Sequence, residues 1–249
     1  MTTASPLTDT HRHQFETQGF FVLENVIPAA HLAALREACA LLMAQVDHKA
    51  DQEGKPRALK YFFSVWDEAE GVNPVKDNAR ALVKPFVFGE LMESITRELL
   101  GDTVYLSFEQ YVVKAAEKGA KFSWHQDSGY VSTPHAPYLT RWCTLDDVTE
   151  ENGTVYMLPY DRAGTRGILP HVREEGGFDL IGYTGDDPGE PVIAPAGSIA
   201  CFASTVLHRS GFNRTEKIRR IYLPQYSSAP ILKEDGSVFY IAEPFLPRP

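Results

Sequence analysis

The feature that most constrains this chain is a change of texture at residue 103. From there onward, short segments rich in β-branched and aromatic residues alternate with Gly, Pro, Asn and Asp, the pattern of short strands separated by turns. Strands are expected at 104–114, 122–125, 140–145, 155–158, 192–193, 198–202 and 219–227. They follow a helical N-terminus and show no regular βαβ alternation, so the expected fold class is mainly β with flanking helices, a closed or sandwiched antiparallel β fold with helices packed outside.

The helical part reads as 9–18, with Thr8 or Asp9 as N-cap, and 28–46, with Pro28 suited to the first turn. A short strand at 19–23 lies between them. In 28–46, Leu32, Leu35, Cys39, Leu42 and Val46 recur at three- and four-residue steps, so one face is apolar and should lie on a sheet. A third helix is expected at 88–100, closed by Gly101. Asn152-Gly153 reads as a type I′ hairpin turn, which requires positive φ at both residues. The stretch 163–191, with seven glycines, reads as a long surface loop. The whole is expected to be one domain, 1–249, with support helices in 1–102, a β core in 103–227 and a tail in 228–249.

Composition narrows the function. The chain has 249 residues, 43% hydrophobic and 23% charged, which excludes a disordered polymer. With 24 Lys+Arg against 33 Asp+Glu, the net charge of −9 argues against nucleic acid or an anionic membrane as partner and leaves a small-molecule substrate. The most apolar stretch, 31–46, contains Arg36 and Glu37 and is too short to cross a bilayer. The N-terminus lacks the basic and apolar regions of a signal peptide, so the cytoplasm is expected. Cys39, Cys143 and Cys201 form no C-x-x-C pair and read as buried reduced thiols. Nothing in the sequence specifies an oligomeric state.

His125 and Asp127 stand two apart at the end of an expected strand, so a β conformation throws both side chains to one face. An imidazole and a carboxylate suit a borderline divalent ion, and His208, ending the strand pattern 201–207, can supply a third ligand. The bland alternative is that H-x-D arises by chance and a strand-end His is hydrogen-bonded or solvated. Arg219 offers a planar fork for a carboxylate, against the reading of Arg214, Lys217, Arg219 and Arg220 as a solvated basic face. Alternation separates them: with Arg219, Ile221 and Leu223 inward, Arg220 and Tyr222 point out.

Context sharpens the pair. Lys121-Phe-Ser-Trp-His125-Gln-Asp127-Ser-Gly-Tyr130, then Trp142 through Asp146-Asp147 to Asn152-Gly153, then His208-Arg-Ser210-Gly-Phe-Asn213 and Arg219 together resemble the phytanoyl-CoA dioxygenase family of Fe(II)- and 2-oxoglutarate-dependent oxygenases. The resemblance implies a double-stranded β-helix, or jelly roll, with iron at its mouth held by His125, Asp127 and His208. It implies Arg219 as the anchor of the far carboxylate of 2-oxoglutarate. Gln110, Trp142 and Ser210 fall where such proteins place side chains along that pocket, and Lys60 resembles an N-terminal Lys that reaches the cosubstrate; Trp142 reads equally as core and Lys60 equally as a solvated surface residue.

The implied reaction consumes O2 and 2-oxoglutarate, releases succinate and CO2, and oxidises a substrate C–H. Because Asp127 is present where related halogenases carry a small residue, hydroxylation is expected over halogenation. Desaturation, cyclisation or epimerisation by the same chemistry, and a non-catalytic cupin-like metal-binding module, are the alternatives. Without a dense basic patch for a CoA diphosphate, the expected substrate is a small metabolite such as a natural-product intermediate of secondary metabolism. Pro159-Tyr160-Asp161 departs from the family's Pro-Gly-Ser-His turn. The loops 128–137, with Tyr130 and His135, and 163–191 are expected to meet substrate, while His11, His13, His135 and His171 are expected at the surface.

Overall fold

The computed structural model describes residues 5–66, 71–117, 119–175 and 179–245. Its first part contains α1 (Asp9–Gln18), β1 (Phe20–Leu23), α2 (Ala29–Gln52), β2 (Lys60–Phe63), α3 (Pro74–Val87) and α4 (Glu90–Leu100). The β-rich part follows with β3 (Tyr105–Lys114), β4 (Phe122–His125), β5 (Leu139–Thr144), β6 (Val155–Leu158) and the one-turn helix α5 (Tyr160–Ala163). After three two-residue strands, β7 (Val172–Arg173), β8 (Leu180–Ile181) and β9 (Glu190–Pro191), come β10 (Ile199–Ala203), β11 (Leu207–Ser210), β12 (Arg219–Ser227) and β13 (Glu243–Pro244).

These strands make a jelly roll. A large antiparallel sheet runs β1-β10-β5-β12-β3-β13, with β2 also paired to β3, and a smaller sheet runs β4-β11-β6-β9. Both faces of the large sheet are covered, which is why β12 is buried along almost its whole length instead of alternating with solvent. On the outer face Leu35 and Cys39 of α2, Val83 of α3 and Met92 of α4 pack with Tyr111, Cys143 and Tyr222 of the strands. On the inner face Trp142, Ile221 and Leu223 meet Val155, Met157 and Val206 from the smaller sheet and its turn.

The expected alternation of β12 therefore holds, with one correction. Tyr222 points away from the inner face but is fully buried, because its "outside" is the helix layer. Arg220 is half-buried and chelates the Asp146 carboxylate, its Nη2 lying 2.6 Å from Asp146 Oδ1. The three cysteines are buried and free, and burial pushes the Cys39 thiol up to about 12.

Several other expectations are corrected. Asn152-Gly153 is not a hairpin: only Gly153 has positive φ (82°), and β5 and β6 lie in different sheets, so the segment is a crossover. Asn152 instead accepts from Thr149 N–H at 2.9 Å and donates to the Asp147 carbonyl at 2.7 Å, holding the turn through its side chain. Helix α2 extends past 46 to 24 residues, length enough to span a bilayer, but Leu35, Ala38, Cys39 and Leu42 are buried on the sheet. Helix α3 was not anticipated, because Pro85 interrupts its pattern, although Asn73 caps it by accepting from Val75 and Lys76 N–H and Pro74 opens it. No strand forms at 192–193; the short strand β9 lies just before it, at Glu190–Pro191.

The N-terminus is pinned to the barrel at one close approach. Gly19 ends α1 at φ 88°, and a Cβ there would meet Val206 Cγ2 at 2.5 Å and the Tyr160 ring at 2.6 Å. Tyr160 also shares a hydrogen bond of 2.7 Å with Thr205 Oγ1, so the departure at Pro159-Tyr160-Asp161 packs against the β10–β11 turn. Gly19→Ala is expected to lower unfolding stability by about 2 kcal/mol, from left-handed strain plus overpacking, read as a lower urea midpoint at unchanged slope.

Candidate active site

Pairing of β11 with β4 sets His208 directly opposite His125, bringing together two imidazoles from distant parts of the chain. Their ring centroids are 4.2 Å apart. His125 Nδ1 lies 2.7 Å from the Ser123 carbonyl and His208 Nδ1 lies 3.0 Å from the Val206 carbonyl. A carbonyl only accepts, so each Nδ1 carries the proton and each Nε2 keeps its lone pair for a cation. Burial, and then the neighbouring His208, push His125 well below the ordinary histidine range, keeping that ligand neutral.

Asp127 is not on the strand. It opens a 3-10 turn (Asp127–Tyr130) immediately after β4, so the expected β alternation is not what aims it. Its Oδ1 faces His208 Nε2 at 3.5 Å, and the ligand atoms of His125, Asp127 and His208 all lie within 4.8 Å of one another. Its Oδ2 is held from the other side by Thr140 Oγ1 and by Gln225 Nε2 at 2.9 Å, two donors placed opposite each other by the β5–β12 register. Two imidazoles and one carboxylate, facing a cavity, are a donor set that fits Fe(II).

Gln126, between the two ligands, locks both. Fully buried, it donates to the Gly167 carbonyl at 2.9 Å and the Thr205 carbonyl at 2.6 Å, and accepts from Leu169 N–H at 2.7 Å. Its own N–H donates to His171 Nε2 at 3.0 Å. His171 is thus half-buried against the ligand strand, and His135 is half-buried beside Ser128 Oγ at 3.0 Å, correcting the expectation that both are surface residues. His11 is likewise half-buried, stacked on Phe21, whereas His13 is exposed.

A cavity runs from the triad to Arg219, lined also by Gln110, Trp142 and Ser210. The guanidinium is 1% exposed; its Nη2 donates to the Gly153 carbonyl at 2.9 Å, while buried Nε and Nη1 have no protein partner. Burial pushes its pKa down to about 9. A buried cation with unspent donors fits the carboxylate of a bound diacid. Lys60 does not line this cavity: its ammonium rests 4.1 Å from the centroid of the Phe122 ring and 3.6 Å from Asp179 Oδ2.

Sequence reasoning missed Thr140, Gln225, Gln126, His171 and the buried Lys114. For Thr140, Gln225 and Lys114 the signal available was a polar residue inside a strand that otherwise reads as core. Gln225→Leu removes one of the two donors that orient Asp127, and is expected to weaken Fe(II) or Co(II) binding about 10- to 100-fold with little loss of fold, measured by anaerobic metal titration. Unchanged metal affinity would show that Gln225 does not orient this carboxylate.

Comparison with known proteins agrees with this geometry. The family described as phytanoyl-CoA dioxygenase (PhyH) matches residues 15–221. The zebrafish (Danio rerio) phytanoyl-CoA dioxygenase domain-containing protein 1 is 22% identical over 259 residues, covering 87% of this chain and 88% of that one. Among solved structures, EvdO2 of Micromonospora carbonacea var. aurantiaca, complexed with 2-oxoglutarate, superposes with TM-score 0.70 at 22% identity, covering 95% of this chain and 97% of its own. EctD of S. alaskensis, solved with 2-oxoglutarate and 5-hydroxyectoine, superposes with TM-score 0.66 at 20% identity, covering 100% and 84%. The match over most of the chain, together with the His-Asp-His cluster, places the protein in the phytanoyl-CoA dioxygenase family of Fe(II)- and 2-oxoglutarate-dependent oxygenases.

Proposed function

We propose that this enzyme hydroxylates an unactivated C–H of a compact, largely apolar small molecule. His125, Asp127 and His208 hold Fe(II), and Arg219 with Ser210 and Trp142 receives the distal carboxylate of 2-oxoglutarate. The observation that carries this reading is a single cavity with the metal triad on one side and a buried, unspent guanidinium on the other. Bound iron, 2-oxoglutarate and O2 supply the oxidising chemistry, with succinate and CO2 released. The chain's own residues do the rest. Arg219 fixes one end of a two-ended ligand, Trp142 stacks beside it at 5.7 Å, and the inner core keeps water from that end. Asp127, a carboxylate and not a small residue, fills the ligand position whose loss would favour halogenation, which supports hydroxylation.

Next to the metal ligands lies a second chamber of about 280 Å³. Phe62, Phe108, Phe122, Tyr130, Tyr138 and Tyr240 supply its aromatic walls, and Asp179 is its one further carboxylate besides Asp127. No Lys or Arg lines this chamber among the described residues, and the chain carries −9 overall, which disfavours a polyanionic CoA conjugate. Aromatic walls with a few hydroxyl and amide groups suit an apolar ring or chain with hydrogen-bonding substituents. Lys60 borders this chamber behind its lining, against Phe122 and paired with Asp179. Three buried free thiols accord with a reducing cytoplasmic setting.

Screening neutral aromatic and alicyclic metabolites for succinate release, with Fe(II) and O2, should find a substrate whose product gains about 16 mass units; a loss of about 2 would indicate desaturation or ring closure instead. His208→Ala is expected to abolish that release, and full turnover in this variant would refute the ligand set.

A further inference from the structure

Lys114 ends β3 directly across from Arg219 in the β3–β12 register. It is fully buried. Its ammonium donates to Ser210 Oγ at 2.7 Å, to the Gly211 carbonyl and to the Gly153 carbonyl at 3.3 Å. The Gly153 carbonyl also receives Arg219 Nη2 at 2.9 Å. Two buried basic side chains therefore share one neutral oxygen, and among the described residues neither has a carboxylate within ion-pair distance. Burial, then Arg219 and Lys60, push Lys114 down to about 5, with Asp179 opposing weakly. The electrostatics are unfavourable as they stand and are relieved by an anion in the adjoining cavity, which would favour the proton on Lys114 in turn.

Hydrogen-bond polarity says how Lys114 acts. In the ammonium form that a bound anion favours, Lys114 has three donors and no acceptor. All three are spent on Ser210, Gly211 and Gly153, so none reaches into the cavity, and Lys114 does not line it. Ser210 does line it. Because Ser210 Oγ accepts from Lys114, its own O–H is left to donate.

We propose that Lys114 is a positioning residue for the cosubstrate: by donating into Ser210 Oγ it commits the Ser210 hydroxyl as a donor to the distal carboxylate of 2-oxoglutarate, beside Arg219. This inference rests on the cosubstrate assignment above and adds the residue that sets the hydrogen-bond polarity of its anchor. In the empty protein burial and Arg219 disfavour the ammonium form of Lys114, and the bound anion favours it.

The test uses full-length protein loaded anaerobically with Mn(II), with 2-oxoglutarate and 2-oxopentanoate, which lacks the distal carboxylate, as probes in calorimetric titration. Lys114→Met is expected to weaken 2-oxoglutarate binding about 10- to 100-fold, as for a lost charge-assisted contact, while 2-oxopentanoate and Mn(II) affinities stay within about twofold. The empty variant should melt about 2–4 °C higher, since a buried amine that folding forces to give up its proton has been replaced by an apolar chain. A merely structural lysine would do the opposite, lowering the melting temperature and weakening both keto acids alike, and that result overturns the proposal. Ser210→Ala should reproduce the selective loss, and the double variant should be no worse than either single one, the signature of a shared route. Should Lys114→Met not fold, Ser210→Ala alone decides, because unchanged 2-oxoglutarate affinity there removes the route. Failure of the unaltered protein to bind 2-oxoglutarate would instead sink the cosubstrate assignment.

Discussion

The antiparallel pairing of β11 with β4 is the constraint on which the rest of the structure depends. It places His208 opposite His125, and a register slip by one residue would turn one imidazole to the far side of the sheet. Nothing local enforces this register. It is held by the neighbours: β6 pairs along the other edge of β11, and Gln126 ties the ligand segment to the Thr205 carbonyl, close before His208, and to the loop at Gly167 and Leu169. A glutamine with all three of these bonds satisfied in the interior is worth more as a clamp than as a surface residue, because breaking any one leaves a buried polar group unpaired.

The second organising element is charge placed where charge is expensive. The chain as a whole is acidic, yet Lys114 and Arg219 sit side by side in its interior. Such a pair survives because the jelly roll gives it a rigid setting: β3 and β12 are adjacent central strands, with helices over one face and the smaller sheet over the other. The neighbouring Arg220 shows the contrast. One residue along the strand, on the opposite face, it finds Asp146 and is neutralised in an ordinary partly exposed ion pair. Alternation therefore separates a solvated structural cation from one held back for a ligand.

The chamber walls combine core strands, through Phe108 of β3 and Phe122 of β4, with elements peripheral to the β core. Phe62 belongs to β2 and Tyr240 to the C-terminal tail, where Tyr240 packs 4.8 Å from Phe108. Residue 240 lies beyond the segment matched by the family. His125, His208 and Arg219 thus sit on paired strands and Asp127 on the turn after β4, whereas part of the adjoining chamber wall is added from around them. This division lets one chemistry be kept while the molecule it acts on changes.

Much of this was legible in the sequence. The texture change at residue 103 and the turn residues between short strands pointed to a β fold, because side-chain periodicity is a local property, and the family resemblance of the motifs around His125, Asp127, His208 and Arg219 implied a metal triad and an anion anchor. What stayed hidden depended on partners far along the chain. Asn152-Gly153 has the local chemistry of a hairpin, but its flanking strands are claimed by two different sheets. Asp127 reaches the metal side through a 3-10 turn, not through strand alternation. Lys114, Gln225 and Thr140 are plain polar residues in apolar strands, and only the β3–β12 and β5–β12 registers give them Arg219 and Asp127 as neighbours. Residue type and spacing determined which groups this protein has available for chemistry. Tertiary pairing decided which of them meet, because a hydrogen bond or a ligand cluster requires ångström-scale proximity, and proximity between distant segments is fixed by sheet order and register.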